Sequence, residues 1–478
     1  MRPGVTAVAR VAILAGPTAL AFFSGGYFDE PRAWAGLAAW LLAFLALVLV
    51  PGALPRGRAA LLAFGGLLAL AALTLASIKW APIAGSAYHA GQIDLLYLGA
   101  LVASVGLLRG RATLRALEPA LSAGVLIVIG YGLSQRFAPG IVHLSASVTA
   151  QGRLEQPLTY WNAMGELAAI GIVLVARLAG DPSRARALRA LAAAAAAPLG
   201  LGLYLSFSRG ALFTCAAGLL VLLTVLARRE AVWGAAVCVA AGVLAAVAAM
   251  PLHGVTSMHG SLGTRETQGL IVLVAVIVIA ALAAAAVLTL ERRDLTGPLA
   301  LPRRAPAIAL VLICGGLAGA IVLGARENSG VPVGANASRF TTLSSDRYEY
   351  WRVALDAFAR EPLRGVGAGG WAVDWLRYRR GANYAVDAHS LPLQTMAELG
   401  ILGLAALLAM LAGLVLAARR AIGHARALAA GPVAALVVYL AHAPLDWDWQ
   451  LPALTLVAVA LAGAMLALAA DAGEAVRW

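Results

Sequence analysis

The polar stretch from His389 to Gly400 (HSLPLQTMAELG) contains the side chains best suited to chemistry. It lies where a long polar segment runs into an apolar one, and an unpaired charge beside hydrocarbon is costly. Histidine titrates near neutral pH, so His389 can serve as a base or hydrogen-bond acceptor for a hydroxyl nucleophile. Glu398 lies about half a turn around a regular helix from His389, so we expect it to orient a substrate or bond a neighbouring helix. A capping histidine and a carboxylate buried beside an arginine are the structural alternatives.

The remainder of the chain is too apolar for a soluble globular protein. Of its 478 residues, 62% are hydrophobic and 12% are charged, which predicts an all-α polytopic membrane protein. The apolar runs divide into about 14 transmembrane helices, within a range of about 12–14. Two of these predicted spans are 391–418 and 430–445. All three cysteines lie in apolar runs, so the pattern predicts neither disulfides nor a cysteine metal site.

The net charge of +13 is explained by membrane topology. With the N-terminus in the cytoplasm, nearly all the excess of arginine falls in short inner loops such as 109–111 and 184–186. This is the positive-inside pattern of membrane proteins, so no nucleic-acid partner is expected. Both termini are predicted to be cytoplasmic, and His389 is predicted to be extracytoplasmic.

Loop lengths suggest four regions along the chain. They are N-terminal spans (1–134), central spans with outer loops 135–161 and 251–267 (135–324), one large extracytoplasmic loop (325–389) and C-terminal spans (390–478). Within the large loop, Tyr348, Trp351, Leu355 and Phe358 recur at helical spacing. This spacing predicts an amphipathic helix lying on the outer membrane surface.

The outer arginines need a reason other than topology. Arg209 lies in the short turn Ser206–Gly210 between two apolar helices, and arginine is well suited to bidentate binding of phosphate oxygens. A snorkelling or headgroup-binding arginine is the alternative. Arg347, Arg153 and Arg265 are each typical of solvated loops, but together with Arg209 they predict an anionic, diphosphate-like ligand.

Four motifs give the chain a resemblance to the O-antigen ligase/polymerase superfamily. The pattern H-[NS]-x-x-L-x-x-x-x-E-x-G is matched by His389, Ser390, Leu393, Glu398 and Gly400. The others resemble the superfamily's R-x-x-x-W…P-x-x-G-x-G, S-R-G and R-L…N-A segments: Arg347, Trp351, Pro362, Gly365 and Gly367; Ser208–Gly210; Arg153–Leu154 with Asn162–Ala163. The similarity covers about 150–420.

The resemblance implies an inverting, metal-independent glycosyltransferase without a cofactor, in the cytoplasmic (inner) membrane. An undecaprenyl-diphosphate-linked glycan would be the donor, and a glycan, lipid or protein hydroxyl the acceptor. Arg209, Arg347, Arg153 and Arg265 would bind the diphosphate, while His389 would assist the acceptor hydroxyl.

Three further residues are weaker candidates for acceptor binding. Trp371 and Trp375 could stack on sugars, although an interfacial aromatic belt also explains them. Asp446 lies in Asp446-Trp447-Asp448, which resembles the D-x-D of metal-using glycosyltransferases but is nearly uninformative alone.

Two questions stay open at the level of sequence. Ligase, polymerase and protein O-oligosaccharyltransferase differ only in their acceptor, and the motifs do not separate them. A lipid-linked-glycan flippase or anion transporter is the alternative from another class, since transporters also carry polar residues among apolar helices.

Overall fold

The structure, a computed structural model, describes residues 2–54, 57–291, 296–302, 304–327 and 334–475. The large loop predicted at 325–389 is therefore described except for 328–333, and the C-terminal region is described as far as 475.

The described residues are mainly helical, and their one β-pairing is an isolated antiparallel bridge between Arg228 and Pro298. Four short 3₁₀ turns lie at Ser24–Gly26, Ser77–Lys79, Ala337–Phe340 and Asp448–Gln450. The α-helices are α1 (Arg2–Ala21), α2 (Asp29–Leu49), α3 (Arg58–Ala76), α4 (Ala84–Leu107), α5 (Arg111–Phe137), α6 (Trp161–Ala179), α7 (Arg186–Leu205), α8 (Arg209–Leu226), α9 (Arg229–Ala249), α10 (His253–Thr256), α11 (Leu262–Glu291), α12 (Ala305–Ala325), α13 (Arg347–Arg360), α14 (Gly370–Tyr378), α15 (Leu391–His442) and α16 (Pro452–Ala475).

Thirteen of the described helices are long and apolar enough to cross a membrane. The exceptions are α10, α13 and α14, which are short or polar. The predicted all-α polytopic membrane protein is therefore confirmed.

Helix α15 accounts for the difference from the predicted number of spans. Its 52 residues would extend about 78 Å as a straight helix, far beyond the ~30 Å hydrocarbon core. The backbone leaves helical geometry at Gly400 and again at Ala425 (φ −141°, ψ 55°). The break at Ala425 divides α15 where the sequence predicted two spans, 391–418 and 430–445.

Helix α6 lies at the centre of the bundle, and the central stretch of it is wholly buried. It packs against α5, α7, α8, α9 and α15. Small side chains let these helices approach closely, as membrane bundles require; a Cβ on Gly218 of α8 would lie 2.4 Å from a methyl of Val438 in α15. Because α6 is held on all sides, the residues at its N-terminal end have a rigid base.

The loops predicted to lie outside meet at one end of the bundle, which we call the site face. There the Tyr97 hydroxyl donates to the carbonyl of Trp449 at 2.6 Å, and Tyr27 packs edge-on against Trp447, with ring centroids 5.4 Å apart. At the opposite end, Arg184 pairs with the buried carboxylate of Glu118 at 2.8 Å. Side chains from distant parts of the chain therefore converge on the site face.

The amphipathic helix predicted in the large loop is α13, but its buried face differs from the predicted one. Trp351 of the predicted face is buried, and so are Tyr350, Val353, Ala354 and Ala357, whereas Leu355 of the predicted face is 49% exposed. Alanines allow α13 to pack closely on α14 and α15. The apolar face of α13 is thus covered by protein.

Candidate active site

A cavity of about 660 Å³ opens at the site face beneath the large loop. Its walls are the loop before α6, the ends of α8 and α12, the first turn of α13 and the segment before α15. One wall is apolar and is formed by Phe213, Leu317 and Ile321. The charged and titratable side chains on the other walls include Arg153, Arg209, Arg339, Asp346, Arg347 and His389.

His389 is held in one orientation and one tautomer at the edge of this cavity. Its Nδ1 lies 2.9 Å from the carbonyl oxygen of Asp387, and a carbonyl can only accept, so Nδ1 carries the proton. The residue is in the left-handed region (φ 52°), which costs about 1–3 kcal/mol for a non-glycine residue. Its ring packs against Tyr350 and Trp447, with centroids 5.2 and 6.0 Å away.

The electrostatic setting of His389 favours the neutral imidazole. Burial lowers its pKa and Arg347 lowers it further, and these effects outweigh the opposing attraction of Asp446. At neutral pH the Nε2 atom therefore has a lone pair available to accept a proton.

Arg347 is fixed by a buried carboxylate from the far end of the chain. Its Nη2 lies 2.5 Å from Oδ2 of Asp446, which is 0% exposed. The hydroxyl of Tyr160 and the amide of Asn162 also donate to Asp446, at 2.7 and 2.8 Å. Burial raises the pKa of Asp446, but Arg347 and His389 outweigh it and lower that pKa overall.

Asp446 therefore lies behind Arg347 and orients it. The next acidic residue of the D-x-D, Asp448, accepts instead from Nδ1 of His442 at 2.7 Å. Each carboxylate of the D-x-D is thus already paired with a side chain: Asp446 with Arg347, and Asp448 with His442. Among the described residues, no group of three or more His, Cys, Asp or Glu side chains has the arrangement of a metal site.

Arg209 joins the turn before α8 to the large loop. Ser208 caps α8, with its hydroxyl accepting from the amide of Ala211 at 3.3 Å, so Arg209 begins the helix beside the cavity. Its Nη2 donates to the carbonyl of Ser344 at 2.9 Å, and its Nη1 donates to the carbonyl of Thr342. Arg209 thus positions the loop as well as lining the cavity.

Arg153 and Arg339 complete the cationic lining. The guanidinium of Arg153 lies 3.6 Å above the ring of Trp161. Burial and the neighbouring arginines lower the pKa of Arg153 and of Arg339 to about 10, so both remain protonated at neutral pH. Sequence analysis missed Arg339, although it is an outer arginine like the others.

Arg265 lies outside this cavity. It lines a smaller neighbouring cavity together with Arg136, Glu155 and Met258, and Arg153 borders both cavities. The structure therefore brings together three of the four predicted phosphate-binding arginines.

Glu398 also lies apart from His389. It borders a small cavity with Asp94 and Trp447, and its Oε1 lies 3.4 Å from the backbone amide of Trp371. This contact links Glu398 of α15 to the first turn of α14. The geometry supports a structural role for Glu398.

Trp371 and Trp375 are 0% and 1% exposed. Their indoles stack with centroids 5.7 Å apart in the core beneath α13. They support the large loop and do not line the cavity.

Two glycines of the motifs allow the large loop to pack directly on α15. Gly365 (φ 68°) lies so close to α15 that a Cβ there would be 2.2 Å from the backbone carbon of Glu398. Gly400 (φ 63°) breaks the helix, and a Cβ on it would be 2.3 Å from the carbonyl oxygen of Leu363. Only glycine fits both the conformation and the space. These two glycines set the position of the loop that covers the cavity.

A protein-family model described as O-antigen ligase matches residues 262–408. The matched region runs from α11 into α15 and includes Arg347, His389, Glu398 and Gly400. The chain is therefore similar to the O-antigen ligase family over this region, which confirms the resemblance inferred from the motifs and supports glycan transfer in general. No curated protein matches the chain.

Proposed function

From the similarity to the O-antigen ligase family, we propose that the chain is an inverting, metal-independent glycosyltransferase of the O-antigen ligase type. It transfers a glycan from an undecaprenyl-diphosphate donor to an acceptor hydroxyl on the outer face of the cytoplasmic membrane. The observation that carries this proposal is that Arg153, Arg209 and Arg347 line one cavity together with His389.

The two kinds of cavity wall suit the two parts of such a donor. Arginine side chains bind phosphate oxygens through charge-assisted hydrogen bonds, and they stabilise the negative charge that develops on a leaving diphosphate. The apolar wall of Phe213, Leu317 and Ile321 lies between α8 and α12. It suits the polyprenyl chain, which would reach the cavity from the lipid phase.

In the proposed reaction, the acceptor oxygen attacks the anomeric carbon as the bond to the diphosphate oxygen breaks. The electron pair of that bond leaves with the diphosphate, and Nε2 of His389 takes the acceptor proton. A single displacement inverts the anomeric configuration. Asp446 acts as a positioning residue because it holds Arg347 without lining the cavity itself. Tyr160 and Asn162, which do line the cavity, hold Asp446 in turn.

Purified protein tests the proposal when it is incubated with a lipid-diphosphate glycan and each of three acceptors, without ATP and with a chelator. The acceptors are a lipid A–core, a glycan and a protein bearing hydroxyls. We expect free polyprenyl diphosphate and one glycosylated product with an inverted linkage by NMR. Movement of the donor across a vesicle bilayer without a glycosylated product would instead support the flippase alternative.

Replacing Arg209 with lysine should lower kcat about 10- to 100-fold, because an ammonium keeps the charge but loses planar, multidentate hydrogen bonding. Both Nη atoms of Arg209 donate to carbonyls of the large loop, and lysine cannot reproduce this bridge. Steady-state transfer assays would measure the effect.

Arg377→Lys is the matched control, since Arg377 is exposed and belongs to α14 outside the cavity. Wild-type activity in Arg209→Lys would mean that a point charge suffices at this position.

A further inference from the structure

A second cavity at the site face lies beside the one proposed to bind the donor. We call it the Arg265 pocket. It has a volume of about 230 Å³ and lies between the loop that follows α5 and the segment that precedes α11. Ser145 and Ala146 are exposed at its edge, so the pocket is accessible from the aqueous side.

The charges that line the pocket are unbalanced. Arg136, Arg153 and Arg265 contribute three guanidinium groups, whereas Glu155 contributes the one carboxylate among the described lining residues. That carboxylate already accepts from the amide and the hydroxyl of Ser147, each at 2.6 Å. Arg136 and Arg153 are themselves buried. A buried excess of positive charge is costly, and a bound anion would relieve it.

The three arginines of the pocket differ in their hydrogen bonding: two are held by backbone carbonyls, and the third can bind a ligand. Arg136 donates to the carbonyls of Val255 and Gly152 at 2.9 and 2.7 Å. Arg153 donates to the carbonyls of Ala150 and Thr149 at 2.8 and 2.6 Å. In the described part of the chain, no hydrogen bond or ion pair of the Arg265 guanidinium is found, and its Nε is buried without a partner.

The size and the position of the pocket indicate which chemical group it can bind. Ligand pockets for drug-sized molecules occupy roughly 300–1,000 Å³, so the Arg265 pocket suits a single phosphate or carboxylate group. Arg153 borders both cavities, so a ligand in the Arg265 pocket would lie next to a donor bound in the larger cavity. The pocket includes no residue of α8 or α12, the helices that form the proposed lipid-side wall of the donor cavity.

We propose that the Arg265 pocket is a second anion-binding subsite, which takes a phosphate or carboxylate group of the acceptor; the identification of the ligand as acceptor rests on the proposed function. In this subsite the guanidinium of Arg265 donates hydrogen bonds to the bound anion. Arg136 and Arg153, which are held by backbone carbonyls, contribute positive charge. This separates Arg265 from the arginines that bind the donor diphosphate.

Equilibrium binding of radiolabelled inorganic phosphate tests the pocket independently of transfer. We expect Arg265→Gln to lose one phosphate site relative to the wild type at the same ionic strength. Arg377→Gln, an equal change of charge at an exposed position of the site face, should retain it. Unchanged binding in Arg265→Gln would overturn the proposal. Loss of the site together with absence of transfer by the wild type would contradict the proposed function but support the pocket.

Kinetics test the identity of the ligand. Arg265→Gln should raise KM for a phosphorylated acceptor about tenfold, without changing KM for the donor or for the same acceptor after dephosphorylation. A raised donor KM would assign Arg265 to the diphosphate instead. Competition between inorganic phosphate and anionic phospholipid in nanodiscs, with acceptor KM unchanged, would identify a lipid headgroup and overturn the acceptor assignment.

Discussion

Replacing His389 with asparagine should lower kcat for glycan transfer about 10²–10⁴-fold, the usual contribution of a positioned general base. Asparagine tolerates the left-handed backbone of this position (φ 52°), so the large loop should keep its structure. The amide has no nitrogen that can take the acceptor proton. Transfer assays at saturating donor and acceptor would measure the loss.

His143→Asn is the matched control, because His143 is exposed in another loop of the site face. The pH profile provides a second readout. Burial lowers the pKa of His389, so the imidazole is neutral at pH 7 and wild-type activity should fall only as the pH drops through that lowered pKa. In His389→Asn this acidic limb should disappear. Full activity in the variant, with the limb intact, would contradict a catalytic role.

Replacing Arg347 with glutamine should reduce both activity and stability. Loss of a positioned donor to the leaving group costs about 10²–10³-fold in kcat. The change also leaves Asp446, which is 0% exposed, without its cation. Removing one partner of a buried ion pair costs about 3–5 kcal/mol; the bonds from Tyr160 and Asn162 to Asp446 favour the lower end of that range.

The double variant Arg347→Gln/Asp446→Asn separates the two effects. With the buried charge removed, thermal unfolding should return towards the wild-type temperature while transfer remains impaired. Equal loss of stability in the single and double variants would show that Asp446 does not depend on Arg347 for its charge balance.

The motifs and the charge pattern predicted much of the candidate site because they depend on local residue types. The three arginines were selected because they lie in predicted outer segments, and His389 because it lies at the start of an apolar span. All four line one cavity: Arg153, Arg209, Arg347 and His389. Their partners were not predictable in this way. Arg347 and Asp446 are separated by 99 residues, and Tyr160 and Asp446 by 286.

For helix α13 and for Arg265, the local sequence pattern did not predict which neighbours the side chains contact in the folded protein. The sequence pattern predicts that the apolar stripe of α13 consists of Tyr348, Trp351, Leu355 and Phe358. The protein buries Trp351 of that stripe together with Ala354 and Ala357, and leaves Leu355 exposed. Arg265 has the same local character as the other outer arginines, but α11 carries it to a different cavity.

Hydropathy and charge act locally along the chain, so the amino-acid sequence was sufficient to predict the membrane-spanning helical fold and the residue types at the site. The tertiary structure decided which residues meet. Packing around α6 and the close contacts at Gly365 and Gly400 bring the large loop over the cavity. They also place Glu398 at the start of α14, away from His389. These distances depend on how helices that are far apart in sequence pack against each other, and the pattern of residues along the chain does not contain that information.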